Sequence, residues 1–184
     1  MRMSKPRVEP LEPADWNDQQ QDVMKPFVDA GEPLNIFKTV IRHPKLLKRW
    51  MVFANHIMGK SSLPEREREL IILRIGWLCR SGYEWSQHVE IGLNCGLTNA
   101  EIDQIKEGAA HAQWSEVDKA LLQATDELHN DAFITDDTWE RLSKEFSEEQ
   151  LMDIVFTVGN YNLVSMALNT LGVQLEPTSK DHFQ

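Results

Sequence analysis

Apolar positions in this chain recur at intervals of three and four almost from end to end, and strand-like alternation never lasts more than a few residues, so the pattern predicts an all-α fold. A first helix is expected over 16–30, interrupted at Pro26 and ended by Gly31 and Pro33. A short helix in LNIFKTVIRH stops before Pro44. Pro44 opens the next one, where Leu46, Leu47, Trp50, Phe53, Ala54 and Ile57 form one apolar stripe. Ser62 stands three residues before Glu65, with Pro64 between, and reads as a capping signature. It introduces the most apolar segment, 70–79, which is apolar nearly all round and is expected at the centre of the bundle. Ser81 and Gly82 break that helix, and a partner follows over 83–94. Gly96 stops the partner, and a capping box from Thr98 to Glu101 starts another helix. Further helices are expected over 115–130, 136–146 and, opened by Ser147 with Gln150 three residues on, up to about 171 before Gly172. The prediction is about eight helices in a single domain over 15–175, flanked by a proline-bearing extended arm, 1–14, and a tail, 176–184.

The charge distribution narrows the partners. The 184 residues carry a net charge of −10, against any general attraction to nucleic acid or an anionic membrane, and no run approaches the roughly 18 apolar residues of a membrane span. Residues 1–94 hold 14 basic and 12 acidic side chains, and the remainder 5 and 17. The stretch 38–80 has 10 basic residues against Glu65, Glu67 and Glu69, so it is the place for a small anionic organic substrate. Cys79 and Cys95 are the two cysteines, with no CxxC pair and no zinc spacing, and the start has no secretory pattern. These features predict a cytoplasmic protein with reduced thiols and no metal site.

Candidate chemistry lies where ionisable groups interrupt the apolar centre. Glu69, Gly76 and Arg80 share one face of the central helix. Gly76 implies a close approach there, by a neighbouring helix or by a ligand. Glu84 and His88 are four apart on the next helix, which makes them either an ordinary exposed pair or a general acid/base with its charge partner. Arg74, inside IILRIGW, is either an anion holder or one half of a structural ion pair with the acidic second half. Trp50, His56, Trp77, Trp85 and Tyr161 are pocket-lining candidates, with ordinary core packing as the alternative. A plain hairpin about Gly82 would put His88 level with Gly76 and leave Glu69 about 10 Å away, out of contact.

The stretch RELIILRIGWLCRSGYEWSQHVEIGLNCGLTNAEI resembles the core signature of the carboxymuconolactone decarboxylase family, within the AhpD-like (alkylhydroperoxidase D-like) superfamily. The match is strongest over 63–105. In the peroxidase branch of that superfamily two cysteines stand seven and four residues before the histidine, and a glutamate nineteen before it. Here those positions hold Ser81, Glu84 and Glu69, so the thiol pair is gone and the Glu/His pair stays. The resemblance therefore implies a cofactor-free carboxy-lyase acting on a small carboxylated lactone or enolisable acid from aromatic-compound breakdown. For such chemistry the residues themselves offer His88 as candidate proton donor, Glu84 as its charge partner, Glu69 as an orienting carboxylate, and Arg74, Arg80, Trp85 and His56 as candidate substrate contacts. The resemblance also implies a homo-oligomer, a trimer or hexamer. The competing readings are an AhpD-like peroxidase and a non-catalytic small-molecule binding or assembly protein.

Overall fold

The computed structural model describes residues 2–183, and among these it is all-helical and contains nine α-helices and two single 3-10 turns. They are α1 (Asp18–Asp29), α2 (Asn35–Val40), α3 (Pro44–Gly59), α4 (Glu65–Leu78), α5 (Gly82–Asn94), α6 (Asn99–Ile105), α7 (Glu116–Asp131), α8 (Asp136–Ser143) and α9 (Glu148–Leu171). The ends follow side-chain chemistry. Capping boxes from Asn17, Thr98 and Ser147 open α1, α6 and α9, and Ser115 caps α7. Gly172 closes α9 in the left-handed conformation, with φ 72°.

As its all-round apolarity requires, α4 occupies the centre and packs on α5, α7 and α9. Leu70, Ile71, Ile72, Leu73 and Ile75 are wholly buried there. A second layer, α1, α2 and α3, covers one side, with Met24, Ile41 and Leu47 as its own buried cluster.

Three expectations change. Ser62 does not cap α4: its N–H and hydroxyl both donate to Asp153 of α9, and Pro64 begins the helix without a side-chain cap. The stripe on α3 is only half used, since Leu47 and Ile57 are buried while Leu46 and Phe53 face outward. Finally, α9 is long and apolar enough by length and composition to cross a membrane, although no run of the sequence suggested one. More than half of the apolar window is instead buried, with Thr157, Asn160 and Ser165 among the buried positions.

Both ends of the chain lie on the body. Arg7 and Val8 N–H groups donate to Leu171 O, and Leu11 N–H to Lys38 O. The tail segment is tied down through Glu176, whose carboxylate accepts from Asn35 N–H, Tyr83 hydroxyl and Gln87 amide, each at 2.7 Å. That bond to Asn35 supplies the N-terminal cap that Leu34 cannot give α2.

Candidate active site

The reach of the site is set by the turn between α4 and α5. Arg80, not Gly82, takes the left-handed conformation, with φ 51°, and α5 starts at once from Gly82. The hairpin is therefore tighter than one centred on Gly82. A Cβ on Gly76 would stand 3.4 Å from Glu84 Cγ, so Gly76 faces Glu84 and serves helix packing. His88, one turn past Glu84, falls level with residue 72, which leaves about 4.5 Å of rise down to Glu69. Side chains span that. His88 Nδ1 lies 2.7 Å from Glu69 Oε2, and His88 Nε2 lies 3.1 Å from Glu84 Oε1.

All three groups are buried, Glu69 completely. Arg68, also buried, donates from Nε to Glu69 Oε1 at 3.2 Å. Two carboxylates, one guanidinium and one imidazolium thus sum to zero charge. Burial pulls the His88 pKa down, but the charges and hydrogen bonds of Glu69 and Glu84 outweigh it and raise the pKa to about 10. His88 is consequently a cation at neutral pH. Arg68 escaped the sequence reading because neighbours on a helix do not face each other; its only signal was a charge beside Glu69 at the mouth of an apolar helix.

His88 and Glu84 form the polar wall of a partly open cavity of about 360 Å³ lined by α1, α2, α3, α5 and α9. The opposite walls are Phe27, Leu34, Ile36, Phe37, Trp50, Met51 and Met58, with Asn55, Gln87 and Asn160 as neutral hydrogen-bonding groups. Tyr161 stands edge-on to the His88 ring, centroids 4.9 Å apart, and its hydroxyl donates to Met58 sulfur at 2.8 Å. Burial, then the charges of Glu84 and Glu69, push the Tyr161 pKa well up, so it remains neutral. Among the described residues lining the cavity there is no lysine or arginine.

The remaining candidates lie elsewhere. Arg74 is half of a structural pair: it grips Asp126 with two bonds of 2.6 and 2.8 Å and donates to the carbonyls of Ile105 and Lys106. Arg80 is exposed at the turn. Trp85 is buried beneath the tail, donates to His182 O and packs on Trp77 and Phe183. His56 is half exposed and pairs with Asp153 at 3.2 Å. His182, which shows no partner pattern in the sequence, lies 2.7 Å from Glu90. Trp50 and Tyr161 do line the cavity; Trp77 does not. Neither thiol reaches it: Cys79 donates to Asn162 and is pushed up in pKa by burial, and Cys95 ends α5. No group of three or more His, Cys, Asp or Glu among the described residues has metal-site geometry.

Residues 44–127 match the model of the carboxymuconolactone decarboxylase family. None of the curated proteins compared matches the chain in sequence. Solved structures do match in fold. A peroxidase-related protein with an alkylhydroperoxidase AhpD core, from Ralstonia eutropha JMP134, superposes with a TM-score of 0.80 at 20% identity, over 94% of this chain and 93% of that one. A putative antioxidant defence protein, AhpD, from Agrobacterium tumefaciens gives 0.69 at 24% identity over 74% and 94%. The debrominase Bmp8 in complex with 2,3,4-tribromopyrrole gives 0.76 at 17% identity over 95% and 94%. Over its central helices, residues 44–127, the chain is thus similar to the carboxymuconolactone decarboxylase family, and its fold is the one seen in the AhpD-like structures.

Proposed function

We propose that the protein is a cofactor-free lyase of the carboxymuconolactone decarboxylase type, acting on a small enolisable carboxylic acid with an apolar, ring-sized body. The observation that carries this reading is an imidazole clamped between two carboxylates on the wall of a largely apolar cavity that no thiol reaches. Loss of CO2 breaks the bond between the carboxylate and the α-carbon and moves its electron pair into the adjacent carbonyl as an enolate. The proton held between His88 Nε2 and Glu84 Oε1 is then delivered to that carbon, and the neutral imidazole is recharged from solvent. Glu69 fixes Nδ1 and keeps the ring charged. The imidazolium also stabilises the enolate oxygen as its charge develops.

With no lysine or arginine on the wall, one carboxylate is accommodated, facing His88 and the neighbouring amides, and Arg74 and Arg80, the expected anion contacts, stand away from it. Peroxide reduction has less support, because Ser81 and Glu84 can neither attack a peroxide nor resolve a sulfenic acid. The test is CO2 release from a panel of β-keto acids. The reading expects release by the wild type, loss of at least a hundredfold in His88→Gln, and full activity in the Cys79→Ala/Cys95→Ala double variant. Hydroperoxide turnover with a dithiol that disappears in that double variant would replace it with the peroxidase reading. Binding without turnover of any acid would favour a binding protein.

A further inference from the structure

The cavity shares its outer wall with a second depression. Phe27, Met51 and Asn55 line the cavity and equally line this open groove of about 430 Å³ between α1 and α3. The groove is floored by Val23, Pro26 and the outward-facing Val52, and Lys48 stands in its lining. Lys48 has no carboxylate partner among the described residues, and Lys45 and Arg49, also exposed, lie within one turn of it on α3. Asp22 of α1 also lines the groove, but forms no ion pair with Lys48. Met58, which holds the Tyr161 hydroxyl beside His88, and Lys48 are ten residues apart on α3, about 15 Å.

We infer that the site takes elongated acids: the reacting carboxylate meets His88, an apolar body passes Phe27 and Met51, and a second anionic group at the far end reaches Lys48. The cation missing from the inner cavity is thereby found one subsite away. This assigns the groove as a distal binding subsite and Lys48 as its specificity residue. It rests on the proposed acid–base site for which end points inward.

Unreactive ligands separate the two claims. Isothermal titration compares four acids: phenylpropanoate, and the same acid carrying a para chain of five carbons that ends in methyl, in carboxylate or in ammonium. The wild type is expected to bind the methyl-ended acid more than tenfold tighter than the parent, through burial of the chain, and the carboxylate-ended one tighter still by about two- to fivefold, as an exposed ion pair allows. Lys48→Ala should remove only that last advantage. Val52→Trp, on an exposed position where folding is not at risk, should remove the advantage of the chain itself. Equal binding of all four, no binding, a preference for the ammonium end through Asp22, or equal weakening of every acid by Lys48→Ala would overturn the inference. Because none of these ligands reacts, failure of the lyase reading shows separately, as absence of CO2 release from β-keto acids.

Discussion

Replacing Glu69 with glutamine keeps its shape and removes one of the two charges that keep His88 ionised. The His88 pKa of about 10 stands roughly 3.5 units above the unperturbed value of 6.5. At about 1.4 kcal/mol per unit, the net preference of the folded site for the protonated ring, after the cost of burying it, is on the order of 5 kcal/mol. Because the folded pKa is the raised one, this contribution is complete below pH 6.5 and is lost as pH rises through about 10. An opposite charge at hydrogen-bond distance accounts for one to three units, so Glu69→Gln should bring His88 down to about 7–9, leaving Glu84 alone to hold the proton. Arg68 loses its partner in the same step, and an uncompensated buried charge costs about 3–5 kcal/mol. Nitrogen-15 spectra of labelled histidine over pH 5–11 read the titration, and urea unfolding at pH 7 reads the stability. A wild-type His88 titrating near 6.5, or one whose titration ignores Glu69→Gln, would refute the electrostatic reasoning.

Other outcomes follow from the same geometry. If the proton comes from His88, CO2 release should hold from neutral pH to about 9 and fall as pH passes about 10, which a pH–rate profile at saturating substrate measures. Arg74→Met, which leaves Asp126 without its bidentate partner, should cost about 3 kcal/mol in urea unfolding while the folded fraction keeps its kcat, since Arg74 is away from the cavity. Glu176→Ala frees Asn35, Tyr83 and Gln87 together; KM should rise several-fold with little change in kcat, because the bonds it breaks hold the α2 wall against α5. At Gly76 an added methyl meets Glu84 at an ordinary 3.4 Å, so Gly76→Ala should raise stability by about 0.5–1 kcal/mol. At Gly92 it meets Leu97 and Leu73 at 3.0 and 3.2 Å, and Gly92→Ala should not.

What the sequence could show depended on the range of the interaction. The Glu84/His88 pair is an i,i+4 relation legible in the sequence, as are two of the five helix caps that side chains provide within their own first turn, those of α6 and α9. The junction of Glu69 with His88 is not, because it depends on where the α4–α5 turn falls. The sequence makes Gly82 the expected pivot of the hairpin, yet Arg80 takes the left-handed conformation and the turn falls early enough to close the gap. Ser62 was misread for a similar reason: its hydroxyl is claimed by Asp153, 91 residues away. Arg74 found its carboxylate 52 residues away in the acidic half, and the cavity wall joins α2 to a tail at Glu176 from the far end of the chain. Periodicity sets which face of a helix is apolar, but the partner that covers it, or leaves Leu46 and Phe53 outside, is a tertiary matter.

The account stands most directly on delivery of one proton by His88 to one face of a bound carbanion. Decarboxylation of an α-aryl-α-methyl β-keto acid in D2O reads this as the enantiomeric excess of the α-deuterated ketone. A single enantiomer from the wild type, lost together with the rate in His88→Gln, is the predicted result. A racemic product, or the same excess and rate from His88→Gln, would contradict it.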